Sequence, residues 1–260
     1  MAASIEIHTQ DRIVFMQKFI FLTLACVLPA LAEDAAQLVF DRGLPTANLN
    51  NAGGDSNRSN VRWSLYAQGF VGDDFSIGQP GEKWVIDSIR TWSVPGLAGE
   101  DPNAMGSYYQ DVRLYFGTEE GGLSPVRVGR LAADSNTPDN ANISIREADA
   151  ARYDEFGAMM RVYEIEFTGL KMSVDGGRKY RFGTWGLGRD IPGQDGKAYS
   201  WFTYASNAQR SETRQDGADG RMLLFEPSGN FAGDWDSSGK AWNKSSDVNV
   251  QVFAHKASGE

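Results

Sequence analysis

Thiols and imidazoles are almost missing from this chain. One cysteine, Cys26, and two histidines, His8 and His255, are all that its 260 residues hold. A single cysteine cannot form an intrachain disulfide, and zinc sites assembled from several His and Cys ligands are excluded. A Ser-His-Asp or Cys-His system needs an imidazole steadied by a rigid neighbour. His255 lies close to the C-terminal end of the sequence and is expected to be a solvated tail residue. Basic clusters are missing as well: 25 Lys and Arg face 34 Asp and Glu, the net charge is −9, and no basic run stands out. That balance opposes nucleic-acid binding and attachment to anionic membranes. It reads first as a solubility device and second as a capacity for cations. After the first thirty residues no apolar stretch approaches the roughly 20 residues a spanning helix needs, so no membrane span is expected.

The one long apolar run stands near the start. Met16-Gln-Lys18 leads into Phe19 to Leu28, interrupted only by Thr23, and Pro29 and Ala30-Leu-Ala32 follow. A charged segment, a short apolar segment and an A-x-A site make a secretory signal peptide with cleavage after Ala32. Residues 1–15 sit ahead of the basic segment, which suits Met16 as the initiator. Thr23-Leu-Ala-Cys26 has the outline of a lipoprotein box, but Thr23 stands where an aliphatic residue belongs. Removal of residues 1–32 takes Cys26 with it, so the exported chain is expected to rest on its core alone. A domain of this length buries roughly 70% of its unfolded surface, which suffices.

Residues 33–255 read as one domain, with 256–260 a frayed tail. Val112, Leu114 and Phe116 alternate with polar neighbours, and so do Tyr163, Ile165 and Phe167 and, at the end, Val248, Val250, Val252 and Ala254. That period of two marks half-buried strands. About ten such segments separated by Gly, Asn, Asp and Pro clusters predict an all-β fold, an antiparallel β-sandwich of jelly-roll type. One short helix is expected over Glu147–Phe156, with Ala148 and Ala151 on one side. Gly69 to Phe75 and Trp84 to Trp92 flank Gln79-Pro-Gly-Glu82, which reads as a hairpin turned by a type II turn. Ile89 has the opposite parity to Trp84 and Ile86, so a bulge near Asp87-Ser88 is expected to keep all three in one core.

Gly72-Asp-Asp-Phe75, the Pro-Gly turn and Trp84-x-Ile-Asp-Ser-Ile89 resemble a signature of secreted bacterial β-sandwich modules, in which a "DDF" strand precedes a "W-x-I-D-S-I" strand. The closing strand Val248 to Ala254 is similar to the last strand of such proteins. The resemblance implies the fold and export and carries no agreed activity.

Chemistry must come from carboxylates, amides and aromatics. Asp73, Asp74, Asp87, Glu164 and Glu166 lie on or beside predicted strands. A pair of them would suffice for a glycoside hydrolase, but Asp73-Asp74 reads as a binder of backbone amides and Glu164 and Glu166 as the wet face of a strand. Asp234-Trp-Asp-Ser-Ser-Gly239 reproduces the opening of a calcium loop, with Asp234, Asp236 and Ser238 as ligands. The acid at the twelfth position is replaced by Ser245, and a plain hairpin loop competes with calcium. Trp185 and Trp235 stand beside glycines and acids, where aromatic planes are available for sugar rings. The Gly-rich pieces 117–122 and 183–188 lack the strand-to-helix setting of a phosphate loop and read as turns. The expected function is a secreted, non-catalytic binding or structural module that takes polysaccharide through Trp185, Trp235, Asp234 and Asp236. A module that pairs with another exported protein along a sheet edge is the alternative, and a carboxylate hydrolase the third reading.

Overall fold

The computed structural model describes residues 35–44, 61–63, 69–93, 104–155, 158–206, 216–235 and 247–258, all within the unit Glu33–Glu260. Strands account for most of them. In chain order they are β1 (Gln37–Asp41), β2 (Val61–Trp63), β3 (Phe70–Ser76), β4 (Lys83–Ser93) and β5 (Asp111–Thr118). Next come β6 (Ser124–Arg130), β7 (Ile143–Glu155), β8 (Ala158–Phe167), β9 (Met172–Asp175) and β10 (Lys179–Trp185). The last are β11 (Phe202–Ser206), β12 (Met222–Phe225), β13 (Phe231–Trp235), β14 (Asp247–Val248) and β15 (Val250–Lys256). Among the described residues the one helical element is a 3-10 turn, Met105–Ser107.

Two antiparallel sheets result. The larger runs β1-β15-β4-β11-β14, with β2 on β11, β8 and β9 on β4, and β7 on β8; the smaller runs β13-β12-β3-β10-β5-β6. Most connections carry the chain from one sheet to the other, which gives an antiparallel β-sandwich. Period-two alternation fixes the core. Val71, Phe75, Leu114 and Phe182 from the small sheet meet Trp84, Ile86, Ile89, Ile165, Val250 and Val252 from the large one, all buried.

The expected hairpin is instead an arch. The turn itself forms as anticipated: the Glu82 N–H donates to the Gln79 carbonyl, and Gly81 takes φ +92°. Yet β3 pairs with β10 and β12, while β4 pairs with β15, β8, β9 and β11, so the two strands face each other across the core. Phe75 and Trp84 can then fill one interior from opposite sides. A second arch, from β9 to β10, lies alongside the first. The Gly176 N–H donates to the Glu82 carbonyl and the Gly177 N–H to the Ile77 carbonyl, so the turns are stitched together. Because β3 and β4 find their partners far away in sequence, a local turn signal cannot reveal the arch.

The bulge in β4 is present. Ser88 pairs with Phe253 and Ile86 with Ala254, leaving Asp87 as the extra residue, and Trp84, Ile86 and Ile89 all enter the core. On the other side of β4 the neighbour changes at the same point. β9 pairs with Lys83 to Ile86 and β8 with Ile89 to Ser93, while the Leu170 N–H from their connection donates to the Asp87 carbonyl. One inserted residue thus breaks the ladder on both flanks together.

The helix expected over Glu147–Phe156 is a strand. β7 runs through Glu155 and pairs with β8 on both sides of a register shift between Glu147 and Arg152. Alanine's helix propensity is worth only tenths of a kcal/mol per residue, and a strand ladder against β8 overrides it.

The stitched arches make a testable distinction. A Cβ on Gly81 would meet nothing within 4 Å, whereas on Gly177 (φ +73°) it would stand 2.8 Å from the Pro80 ring. Gly81→Ala is expected to cost about 1–2 kcal/mol from left-handed backbone alone. Gly177→Ala should cost about 1–3 kcal/mol more through overpacking. Urea denaturation of the two variants measures the gap, and equal losses would show that the turns do not pack together.

Candidate functional site

A sandwich ordinarily turns polar side chains outward, but the small sheet does not. Gly72, Gly183 and Tyr115 stand in one cross-strand row on its outer face, and Phe225, Phe70, Trp185 and Arg113 lie along the next. Phe225 and Phe70 stack at 5.4 Å between centroids, Phe70 and Trp185 at 6.2 Å, and Phe70 meets Tyr115 at 4.4 Å. The glycines make room for the rings. A Cβ on Gly183 would stand 2.5 Å from the Phe70 ring and one on Gly72 2.9 Å from Phe225. The 183–188 piece therefore begins inside a strand, not in the expected turn.

Two turns close over part of this face. The Leu123 N–H donates to the Gly229 carbonyl, joining the β5–β6 and β12–β13 connections, and Leu123 packs with Phe70, Tyr115, Leu223 and Phe225 in a small second core. Trp185 remains half-buried beyond them. In the same cross-strand row, beyond Arg113, stands Val128, 42% exposed, and two residues further along the chain from Trp185 is Leu187, 40% exposed. Arg113 lies over the Trp185 ring at 5.4 Å and is held bidentately by Asp111 at 2.6 and 3.1 Å. Asp111 raises the Arg113 pKa through that hydrogen bond, against the opposing effect of burial. An apolar patch edged by a fixed ion pair is the outcome.

The structure gives the expected site residues unequal support. Trp185 and Asp234 share the outer face, Asp234 through its pairing with Leu223, with β12 and β3 between them. Asp234 is exposed but belongs to β13, so the calcium-like pattern begins in a strand and not in a loop. Trp235 ends that strand opposite Met222. Asp236 and Ser238 lie outside the described residues. Among the described residues no group of three or more His, Cys, Asp or Glu is placed to hold a metal ion.

Asp73 joins Arg42 and Asp247, which the sequence pattern does not single out as a site, in a buried knot at one end of the sandwich. Asp73 takes core parity between Val71 and Phe75, and its Oδ1 meets the Arg42 Nη1 at 2.7 Å. Asp73 also accepts from the backbone N–H groups of Asp74 and Val248, as the reading of it as an amide binder expects. Arg42 donates further to the carbonyls of Asp74, Asp216 and Gly217. Asp247, buried beside them, accepts from the N–H groups of Asp219 and Gly220. Burial opposes the Arg42 charge, but Asp73, Asp247 and Asp74 outweigh it and raise its pKa. Burial pushes Asp73 up to about 7 against the pull of Arg42, with Asp247 adding to the rise, and pushes Asp247 up to about 6. Two carboxylates share one guanidinium, so the pair yields its last proton only near neutrality. Sealed from solvent and saturated with amide donors, these acids cannot reach a substrate.

His255 is not a tail residue. It sits in β15, and its Nδ1 lies 2.7 Å from the Asp87 carboxylate at the bulge. Lys256 closes the same strand and contacts Glu82. Glu164 and Glu166 do face away from the core, but Arg90 lies within 3.3 Å of both, and Arg146 also binds Glu164. Comparison with family models, curated proteins and solved structures finds no match, so the functional reading rests on this geometry.

The knot yields two expectations. Arg42→Ala should cost about 3–5 kcal/mol, because it leaves buried carboxylates uncompensated. Asp73 and Asp247 hold protons in the folded state that the unfolded chain, with carboxyls near 3.8, has released. Their stabilising contribution is therefore complete below that value and lost as pH rises through 6 and 7. Asp247→Asn removes one of these titrations, so the stability of the parent relative to the variant should fall from pH 4.5 to 7.5. Urea midpoints at the two pH values decide it, and an unchanged difference would contradict the assignment.

Proposed function

We propose that this chain is an exported, non-catalytic binding module that takes carbohydrate on the outer face of its small sheet. One observation carries the reading: Trp185 lies half-buried at the margin of the small sheet's outer face, with exposed Val128 two strands away in the same cross-strand row and exposed Leu187 two residues further along the chain. A contiguous exposed apolar patch is a common mark of an interaction site. The C–H face of a sugar ring would lie on the uncovered part of Trp185 and on Leu187. Asp111 and Arg113, locked together at the rim, would accept from and donate to its hydroxyls. Preorganised partners of this kind spare the ligand the cost of ordering side chains on binding.

The alternative, pairing with another exported protein along an open edge, has β7 in its favour, since among the described residues that strand of 13 residues pairs with β8 alone. Its sequence, however, carries Arg146, Glu147, Asp149, Arg152, Asp154 and Glu155. Charges of that density are what discourage strand addition at an edge. The hydrolase reading would need two accessible acids in a cleft, and Asp73 and Asp247 are enclosed.

Export follows from the signal segment, so material recovered outside the cell should begin at Glu33 on N-terminal sequencing; a start at Met1 or Met16 would remove that part of the proposal. The binding face is tested by retention on immobilised polysaccharides. Trp185→Ala should weaken retention about tenfold or more, as loss of a central aromatic does. Near-ultraviolet circular dichroism checks that the fold persists. Retention that survives the substitution in a folded variant places the ligand elsewhere.

A further inference from the structure

Arg181 lies on the same outer face as Trp185, two steps of the pleat away on β10, with Gly183 and the Phe70 ring over it between them. The separation is about 13 Å at the rise of a strand, longer than one sugar ring. Three cations close to it are held at short range. Arg113 is held by Asp111, Lys179 by Asp74 at 3.1 Å and Arg178 by Glu120 at 2.9 Å. Arg181 is paired more loosely: its guanidinium reaches Glu119 at 4.0 Å, beyond hydrogen-bond distance, and among the described residues its buried Nε has no hydrogen-bond partner. Asp74, its cross-strand neighbour, is engaged by Lys179.

The side chain is only 12% exposed, and its guanidinium sits 4.3 Å over the ring of Phe231, itself 41% exposed. A cation so far withdrawn from water, with a ring face and one distant carboxylate as its compensation, leaves room for a closer anion. A planar oxyanion arriving along the open side of Phe231 would complete it, because the guanidinium fork matches a carboxylate.

Resting on the carbohydrate reading, we infer that the ligand is an acidic polysaccharide whose uronate carboxylate pairs with Arg181 while another sugar ring lies at Trp185. The net charge of −9 does not forbid this, since at physiological salt the Debye length is about 8 Å and distant acids are screened. Neutral glycans would make the aromatic contact and lose the ionic one.

Homogalacturonan and its fully methyl-esterified form are suitable probes, because esterification removes the charge and keeps the ring. The acid form should bind about tenfold or more tightly than the ester, the scale of a charged hydrogen bond. Arg181→Gln should abolish that preference and leave binding of the ester unchanged. Arg181→Lys, which keeps the charge without the fork, should restore only part of it, and melting curves establish that both variants fold. Equal binding of acid and ester by the parent, both lost in Trp185→Ala, would overturn the inference and leave the carbohydrate reading standing. Preference for dextran sulfate over the galacturonan would overturn the assignment of a carboxylate. Binding to none of these, nor to neutral galactan, would sink both.

Discussion

A single guanidinium holds one end of this sandwich together. Arg42 follows β1 in the large sheet, reaches Asp73 and the Asp74 carbonyl on β3 in the small sheet, and donates to the carbonyls of Asp216 and Gly217. The Asn249 amide donates to the carbonyls of Arg42 and Gly43, and the Arg42 N–H to the Val250 carbonyl, so the closing strands are tied to the same point. Taking a guanidinium and two carboxylates out of water costs several kcal/mol per ion unless hydrogen bonds replace the lost hydration. Here backbone amides and carbonyls supply them. The knot specifies which segments meet more than it adds net stability, because only this arrangement satisfies its charges. Where disulfides cannot cross-link the layers, a directional polar junction sets their register.

Much of this architecture could be read from residue alternation. The parities of Val112, Leu114 and Phe116 and of Val250, Val252 and Ala254 place those strands correctly on the core. The parity clash between Ile86 and Ile89 located the bulge to within a residue. Pairing partners were hidden, because a period of two says which face is buried and nothing about which strand lies alongside. The β3–β4 arch and the β7–β8 pairing both depend on such partners. The buried knot left one usable trace: Asp73 sits at core parity between Val71 and Phe75, and an acid at such a position demands a buried counter-charge. Arg42, alone in a turn-rich stretch, gave no sign that it was the one. Nearness to a terminus points His255 toward a tail, whereas the strand pattern of Val248 to Ala254 runs on through it to Lys256.

The outer face of the small sheet follows from the same physics. β3 buries Val71 and Phe75 on one side and Phe70 on the other, so it needs cover on both. The turns joined through Leu123 and Gly229 provide it over the middle of the sheet and leave Trp185 at the margin. Arginines cap the rings that remain in view, one held bidentately by Asp111 and one paired loosely with Glu119. Trp185 is the expected aromatic that this face presents, and Phe231, 41% exposed, supplies a second ring.

β1 opens the folded unit and β15 closes it, and the two run side by side, with Gln37 opposite Ala254. Both ends therefore leave from neighbouring points of the large sheet, while the aromatic surface belongs to the small sheet and looks the opposite way. Whatever is attached at either end, a support or a further chain, would hold the sandwich from behind. Its aromatic face would stay turned toward the surrounding medium, and a short bridge between the ends could re-cut the chain elsewhere without disturbing that orientation.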